Sequence, residues 1–521
     1  MKSDAIATAE LNKIIAEKDA EIAGLKSYIS EIESKLNWLT ERIATAQQRR
    51  FGASSEKSVY DGASQMTLFE NIFNEAETLA NNDPEPELSE VKSHYRRAKR
   101  EKKDRLPEDL PVETVQHELS EAEQICPCCG ERMHEMGHTI TREELKLVPA
   151  QASIIQHVQT TYSCRNCEKN ETSVPIRKSH VPNAVIKGGF ATPEAVAHIA
   201  TQKFVMGSPL YRQEREWNRH GIMLSRQTMS NWLIKATEDW LVPIYKVLHD
   251  KLLKSSILHV DETTLQVLKE PSKTSQSKSY MWLYRTGSDA REHIVLYEYQ
   301  PDRRKERAQT FLTGFEGYVH TDGYSVYSDL APGITAVGCW AHARRKFDEA
   351  LRLLREDRIP GSPELTGKRY CDAMFKLEQK FAELPTTDNF KARFEARHAQ
   401  LKPMIDEFFA WVESLFVIPK STFGTAVRYV VKQKPKLKRV LLDGRLELSN
   451  NRAERSIKPF VIDRKNFMFA NTPRGASASA VLFSLIESAK ENGIDPYAYL
   501  SRVFRDAPNG NFAGSLLPWA V

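Results

Sequence analysis

The chain has 521 residues, of which 41% are hydrophobic and 27% are charged, a balance typical of an ordinary globular protein. It carries 74 Lys and Arg against 69 Asp and Glu, so the net charge of +5 is small and only its distribution is informative. No apolar run approaches the ~18 residues of a membrane span, and the first residues lack the apolar stretch of a secretory signal. Membrane, secreted and fibrous proteins are therefore excluded, and roughly three domains are expected.

The first fifty residues carry a heptad repeat of apolar side chains. The a positions are Ile15, Ile22, Ile29, Leu36 and Ile43, and the d positions are Lys18, Leu25, Ile32, Leu39 and Ala46. A period of 3.5 residues keeps one stripe of a helix facing a partner helix. Residues 1–50 are thus predicted to form a coiled coil for self-association. An amphipathic helix packed on the chain's own globule is the alternative.

Residues 51–105 have the composition of a linker whose charge changes sign. Residues 58–91 hold eight acidic residues and no Lys or Arg, whereas eight of the fourteen residues 92–105 are Lys or Arg. The basic run could neutralise DNA phosphates, or it could be a solvated linker.

Two Cys-x-x-Cys pairs predict a metal site within a zinc-ribbon domain at residues 106–180. The pairs are Cys126 with Cys129 and Cys164 with Cys167, with 34 residues between them. Four thiolates close a tetrahedral Zn²⁺ site and leave no open position, so the zinc is expected to be structural. The substitute ligands are Cys128, His134 and His138. Thiolate ligation also favours a reducing compartment over a disulfide framework.

Residues 181–250 are predicted to be helical and to include a helix-turn-helix. A helix from Pro209 to Arg219 is followed by Gly221, and Ser225 is a good N-cap for a second helix. In a DNA-binding helix-turn-helix, early residues of the second helix, here Arg226 and Gln227, face base edges. A purely structural helix pair has the same pattern.

Strand-like runs dominate from residue 257, and two of them end in carboxylates. The strands begin near Ile257, Tyr280, His293, Gly317 and Ile334, with a helix-like stretch at residues 306–312 and a basic helix from Ala341. Three strands, a helix, a strand, a helix and a strand make the order of a ribonuclease-H-like core.

The two strand-end acids, Asp261 and Asp322, could share divalent metal with a third acid. The best third acid is Glu454, on a helix that Ser449 or Asn450 would cap. Carboxylate oxygens are the ligands that Mg²⁺ prefers, and two such ions can clamp an in-line phosphoryl displacement. A turn or cap role is the alternative for any one of these acids.

The motifs of the chain resemble those of the insertion sequence 66 family, a group of bacterial DDE transposases. The motifs in family order include RFG at Arg50, LPEDLP at Leu106, CPCCG at Cys126, CRNC at Cys164, SPLYRQE at Ser208, HVDET at His259, HTDGY at His320, CWAHARRKF at Cys339, LELSNNRAERSIKP at Leu446, RKNFMFANTPRGA at Arg464, SLIESAKENGIDPYAYL at Ser484 and LLPW at Leu516. The chain departs from the family pattern in KFVMG before Ser208 and at Ala476, and both departures leave the acids intact.

The resemblance implies a catalytic triad of Asp261, Asp322 and Glu454 that binds two Mg²⁺ or Mn²⁺ ions, and a structural zinc held by Cys126, Cys129, Cys164 and Cys167. It further implies a cytoplasmic homo-oligomer that binds the terminal inverted repeats of an element, cuts to free a 3′-OH and joins it to target DNA. Accessory proteins of the same element are implied partners. The candidate phosphate contacts are His342, Arg344, Arg345, Arg452, Arg455, Lys458, Arg464 and Lys465.

The predicted fold is a multidomain α+β protein with a coiled coil, a zinc ribbon, a helical helix-turn-helix region and a ribonuclease-H-like α/β core. That core spans residues 251–347 and 444–490, with a helical insertion at 348–443 and a tail at 491–521. Trp340 is expected to pack in the core more readily than to stack on a base. Two other functions fit parts of the pattern: a catalytically inactive zinc-dependent DNA-binding protein, and a ribonuclease-H-like nuclease that cuts without joining.

Overall fold

The computed structural model describes residues 179–520 except 272, 275, 328–329, 356–357, 383–388 and 511–512. Before residue 179 it describes 18, 21, 22, 24, 25, 32, 35, 89–91, 94–96, 154–159, 161–162 and 177–178. The chain divides into two compact units, one of Met1–Gly52 with Gln159–Val521 and the other of Ala53–Val158. In the second unit, Ser89–Val91 pairs antiparallel with His94–Arg96.

The described residues between 18 and 35 are helical, as a coiled-coil segment requires. Lys18 forms an ion pair with Glu21 on this helix. Three apolar heptad residues of this helix are largely exposed: Ile22, Leu25 and Ile32.

The helices predicted between residues 191 and 235 are present. They are α1 (Pro193–Phe204), α2 (Leu210–Arg219) and α3 (Arg226–Ala236), followed after a π-helical turn by α4 (Val242–Leu252). The hydroxyl oxygen of Ser225 accepts a hydrogen bond from the backbone N–H of Thr228 at 3.1 Å, which confirms the predicted N-cap. Gly221 has φ +76°, a left-handed conformation that favours glycine, so α2 and α3 form the predicted helix–turn–helix arrangement.

A five-stranded mixed sheet follows. Its strands are β1 (Ile257–Gln266), β2 (Lys278–Thr286), β3 (Val295–Gln300), β4 (Gly317–His320) and β5 (Ile334–Val337). The order across the sheet is β3-β2-β1-β4-β5, with the first three strands antiparallel and the pairs β1–β4 and β4–β5 parallel. The chain therefore enters the sheet at its centre and fills one side before crossing to the other.

Two helices flank these strands in sequence, and one expected helix is absent. Helix α5 (Lys305–Phe311) precedes β4, and α6 (Trp340–Leu351) follows β5, as predicted. Between β4 and β5, the described residues form only the 3₁₀ turn Ser325–Tyr327, so the helix predicted there is wrong. The side chain of Asp322 accepts the backbone N–H of Tyr324 at 2.9 Å, so the connection begins with a local turn that the aspartate side chain stabilises.

The described residues between 348 and 443 are mainly helical, in keeping with the pattern of their sequence. They form α7 (Pro363–Ala382), α8 (Asn389–Ala396), α9 (Lys402–Glu413) and α10 (Thr422–Lys438). Trp340 is fully buried against Phe408 and Phe409 of α9, and its indole N–H donates to the carbonyl of Leu437 at 3.1 Å. The expectation that Trp340 packs in the core is thus confirmed.

Of the last three helices, the first two pack on the sheet and the third packs on α1. They are α11 (Asn451–Phe467), α12 (Pro473–Glu491) and α13 (Pro496–Asp506). Hydroxyl oxygens of Ser484 and Ser488 on α12 accept backbone N–H groups of Tyr297 and Val295 at 2.7 and 2.9 Å. Because β3 is an edge strand, these bonds satisfy donors that would otherwise be open to pairing with another chain. In the described part of the chain, no helix is both long and apolar enough to cross a bilayer.

Candidate active site

Two aspartates lie at equivalent positions of neighbouring parallel strands. Asp322 follows the end of β4, as predicted, whereas Asp261 lies within β1 and not at its end, because β1 continues to Gln266 in its pairing with β2. The register of β1 and β4 sets His259 opposite His320, and Asp261 and Asp322 each lie two residues further along. The two imidazole rings stack with centroids 4.4 Å apart and planes within 11°. Since parallel strands rise equally per residue, both carboxyl groups reach the same end of the paired segment.

Glu454 is brought to this end by the start of α11. Asn450 precedes the helix, and its amide nitrogen donates to the carbonyl of Val260 at 2.8 Å while its amide oxygen lies 3.1 Å from Nδ1 of His259. Asn450 was predicted as a possible capping side chain, but it makes no such bond within the helix. Its side chain is instead committed to β1, so it fastens the first turn of α11 beside Asp261.

The carboxyl groups are close enough to oppose one another's ionisation. Burial raises the pKa of Asp261 well above its ordinary value, and the charges of Glu262, Glu454 and Asp322 raise it further. A single backbone N–H, from Glu262 to Oδ1 of Asp261 at 2.8 Å, acts in the opposite direction. All three predicted acids therefore belong to one electrostatic cluster.

Glu262 is a fourth carboxyl group in this cluster, and sequence reasoning did not single it out. Burial raises its pKa, and the guanidinium of Arg303 partly offsets that effect. Arg303 forms an ion pair with Glu262, and the hydroxyl of Tyr327 donates to the same carboxylate. The sequence shows Glu262 as the acid next to Asp261 in HVDET, but nothing in the sequence placed Arg303 or Tyr327 against it.

Two residues predicted to contact phosphate, His342 and Arg345 of α6, lie against Glu454 instead of projecting freely. Nη2 of Arg345 is 3.2 Å from Oε2 of Glu454, and Nδ1 of His342 is 3.6 Å from Oε1. Burial opposes protonation of His342, but the neighbouring Cys339 and Glu454 outweigh it and raise its pKa to about 9. The third acid is thus held between two cationic side chains.

Several other predicted DNA contacts are engaged within the protein. Arg344 forms an ion pair with Asp372 of α7, and Nε of Arg452 donates to Glu447 at 2.8 Å. Arg464 bonds to the backbone and hydroxyl groups of residues 263 and 264 in β1. Arg455 and Lys465 on α11 are exposed, and Lys458 is half-buried. On α3, Arg226 is exposed beside Glu214, and Gln227 donates to Asn231 at 3.1 Å.

Helix α10, which belongs to the helical segment between the second and third acids, packs over the acid cluster next to Asp322. Gln433 donates to the carbonyl of Gly323 at 3.2 Å, and a Cβ on Gly323 would lie 2.5 Å from the ring of Tyr429. The hydroxyl of Tyr429 is buried and has no hydrogen-bond partner among the described residues. Sequence reasoning missed Tyr429 because it lies more than a hundred residues after Asp322.

The acid cluster suits a divalent cation. Its donors are carboxylate oxygens, which hard cations prefer, and Oε1 of Glu454 is buried without a hydrogen-bond partner in the described part of the chain. Like charges also raise the pKa of Asp261, and a bound cation would relieve that repulsion. The predicted zinc ligands Cys126, Cys129, Cys164 and Cys167 lie outside the described residues.

Comparison with known proteins gives a consistent result along the chain. The model of the "Transposase IS66 family" matches residues 188–478, and that of the "zinc-finger binding domain of transposase IS66" matches residues 123–168. Residues 38–115 match "Transposase C of IS166 homeodomain", and residues 484–519 match "IS66 C-terminal element". These matches define a DNA transposase with DNA-binding features, a zinc-finger domain and an expected requirement for divalent metal.

The chain belongs to the IS66 transposase family. It is similar to Uncharacterized protein y4jD of Sinorhizobium fredii, with 31% identity over 85% of this chain and 86% of that protein. It is also similar to Uncharacterized protein y4qI of the same organism, with 27% identity over 97% of this chain and 93% of the relative.

Proposed function

We propose that this transposase binds the terminal inverted repeats of its insertion sequence and catalyses Mg²⁺-dependent cleavage and strand transfer through Asp261, Asp322 and Glu454. The observation that carries the proposal is their electrostatic cluster, in which the latter two acids raise the pKa of Asp261. The strand order β3-β2-β1-β4-β5, with three antiparallel strands followed by two parallel ones, supports a ribonuclease-H-like core for this chemistry.

Asp261, Asp322 and Glu454 would hold two Mg²⁺ ions, with Glu262 as an additional charge. When bound, the ions supply Lewis acidity to the phosphate and favour the ionised form of the attacking hydroxyl. Arg345 and His342 orient the Glu454 carboxylate, and Asn450 fixes the helix that carries it. Because the ions would activate the attacking hydroxyl, the reaction needs no general base from the protein.

The stacked histidines have a positioning role in this scheme. Burial lowers the pKa of His259 to about 3, and Nε2 of His320 accepts the backbone N–H of Glu447 at 3.2 Å. Both rings are consequently neutral at physiological pH, and they add no positive charge that would compete with a cation for the aspartates.

DNA contacts would come from separate parts of the chain. We propose that Cys126, Cys129, Cys164 and Cys167 hold the zinc of the finger and that Arg226 and Gln227 lie at the reading end of the helix-turn-helix. Exposed Arg455 and Lys465 are the best-placed phosphate contacts near the acids, because both project from the helix that carries Glu454. A homo-oligomer and accessory proteins of the same element would complete the assembly.

The test is strand transfer with purified chain, Mg²⁺ and labelled element ends, comparing the native protein with Asp261→Asn. Joined products are expected from the native chain and only background from the variant. Asp250→Asn makes the same chemical change at an exposed position of α4 and should retain activity. Cleavage without joining would favour a nuclease. End binding with neither product, even with the accessory proteins added, would favour an inactive DNA-binding protein.

Thermal unfolding gives a second readout that does not depend on DNA. In EDTA, Asp261→Asn should unfold at a higher temperature than the native chain, because the substitution removes one of several mutually repelling carboxylates. Mg²⁺ should stabilise the native chain more than the variant, since binding to the folded state raises its stability. An equal effect of Mg²⁺ on both proteins would place the ion elsewhere.

A further inference from the structure

A cysteine, a histidine and a glutamate converge beside the acid cluster. Cys339 is the residue before α6, His342 is three positions later in the first turn, and Glu454 comes from α11. One ligand atom of each lies within 4.8 Å of the other two. Cys339 is the N-cap residue and His342 is the third residue of the helix, so the start of α6 presents sulphur and imidazole together to the carboxylate.

Two of these ligand atoms lack hydrogen-bond partners. Nδ1 of His342 and Oε1 of Glu454 are both buried, and neither has a partner among the residues that the structure describes. They lie 3.6 Å apart as an ion pair, and a bound zinc ion would replace the imidazolium proton of His342 and the thiol proton of Cys339, which are released to solvent. Two ligands about 2.1 Å from a tetrahedral ion are separated by roughly 3.4 Å, so this pair already has the spacing of one edge of such a site.

The donor set selects a softer cation than Mg²⁺. Thiolate, imidazole and carboxylate are the three ligand types of protein zinc sites, whereas Mg²⁺ demands oxygen donors. Three protein ligands leave a fourth tetrahedral position for a water molecule. Arg345 contacts the other oxygen of Glu454, Oε2, at 3.2 Å, so coordination through Oε1 leaves that ion pair in place.

We propose that Cys339, His342 and Glu454 form a second metal site, distinct from the zinc finger, which binds one Zn²⁺ and inhibits the enzyme. Zinc at this site withdraws Glu454 from the carboxylates that would hold Mg²⁺. The inhibitory effect rests on the proposed function of Glu454, but metal binding itself does not. The two parts can therefore be tested separately.

Binding is tested with Co²⁺ added to the full-length chain whose finger is already loaded with zinc. Ligation by Cys339 is expected to give a near-ultraviolet thiolate-to-cobalt absorption band that Zn²⁺ abolishes by competition. Cys339→Ser should lose the band, and Cys371→Ser should keep it. Cys371 is a matched control because it is the other buried free cysteine of the described residues.

His342→Asn is the second variant, since it leaves the buried sulphur in place and should weaken cobalt binding by at least about tenfold. A band of equal intensity in Cys339→Ser would place the cobalt elsewhere and overturn the site. Absence of the band from the native chain would overturn it as well.

Inhibition is tested by strand transfer in saturating Mg²⁺ with added micromolar Zn²⁺. Added Zn²⁺ should reduce strand transfer by the native chain and by Cys371→Ser, whereas the activity that Cys339→Ser shows without zinc, whatever its level, should not change when zinc is added. Equal inhibition of Cys339→Ser would overturn the inhibitory role. A native chain that gives no strand transfer even with the accessory proteins added, but still shows the cobalt band, would refute the proposed function and leave the metal site standing.

Discussion

Glu298 shows how a single buried carboxyl group can make the stability of this protein depend on pH. It lies in β3, where burial raises its pKa from an ordinary 4.5 to about 7. A hydrogen bond from Gln300 to Oε1 at 2.7 Å, the charge of Arg307 and a hydrogen bond from Tyr284 oppose this shift, but burial outweighs them. Ionisation of Glu298 consequently costs free energy in the folded state.

Replacing Glu298 with Gln should stabilise the protein at pH 8 and have little effect at pH 5. The folded-state pKa lies above the unfolded one, so the native chain loses stability as pH rises from about 4.5 to about 7, and Gln removes that loss. The gain at pH 8 is at most about 3 kcal/mol. Urea unfolding at both pH values measures it, with the exposed Glu306→Gln as the control. Equal gains at pH 5 and pH 8 would contradict this origin.

The two strand aspartates could be found from sequence because each follows a histidine at the same spacing, His259-x-Asp261 and His320-x-Asp322. The spacing corresponds to the register in which the two histidines pair. Their ring stacking could not be predicted, since the pattern does not say which strands are neighbours. The same limit hid the contact of Arg303 with Glu262, which joins residues 41 positions apart.

At the scale of elements, one side chain fastens α11 to β1. Asn450 is almost fully buried and bonds to the carbonyl of Val260, while its backbone N–H donates to Sγ of Cys339 at 3.2 Å. Three segments that are distant in sequence therefore meet at one residue. The position of Glu454 depends on this junction because it lies one helical turn further along α11.

Asn450→Ala should lower the free energy of unfolding by about 2–4 kcal/mol, because it leaves buried partners on β1 without their hydrogen bonds. It should also reduce strand transfer under conditions where the variant is fully folded, since the start of α11 loses its attachment. Urea unfolding and a product assay below the transition measure the two effects. Asn451→Ala, at a half-buried neighbouring position, should cost less than about 1 kcal/mol. Equal effects of the two variants would refute the special role of Asn450.

The sequence pattern of a single helix does not predict which element it packs against, and helix α12 is an example. The sequence predicted neither that α12 packs on β3 nor that Ser484 and Ser488 accept backbone N–H groups of that strand. Ser484 and Ser488 are four residues apart, which is about 6 Å along a helix, and Val295 and Tyr297 are two residues apart, which is about 7 Å along a strand. The two hydroxyl groups therefore have nearly the same spacing as the two N–H groups. A serine pair in a helix has no such meaning until the opposing strand is known, whereas the N-cap Ser225 is a local feature and was predicted correctly.

At the scale of the whole molecule, the helices between the second and third acids belong to the site. Gly338 donates its N–H to the carbonyl of Lys436 at 3.0 Å, and a Cβ there would lie 3.0 Å from the backbone of Leu437. Together with Tyr429 above Gly323, this close approach joins α10 to the segments that follow β4 and β5. Helical periodicity predicted the segment, but its docking is set by contacts about a hundred residues apart.

Self-association is the property of the whole molecule that the heptad repeat predicts. Ile22, Leu25 and Ile32 are helical residues with about half of their surface exposed: 47%, 55% and 46%. Apolar side chains at a and d positions are expected to be buried by a second copy, because a lone helix would leave this stripe in water. If one complex joins both element ends, it needs either two sets of acids, one from each of two copies of the chain, or one set that acts on the two ends in turn.

Ile22→Glu should shift the protein towards the monomer, because it places a charge at an a position, where partner helices would bury it. Ser27→Glu is the matched control, since Ser27 occupies the f position on the outer face of the same heptad. Sedimentation equilibrium should show a lower mass for Ile22→Glu alone. Stabilisation by Mg²⁺ should survive in both variants, because the acids all lie between residues 261 and 454. If Ile22→Glu kept the mass of the native chain, the oligomer would have to form through the globular part.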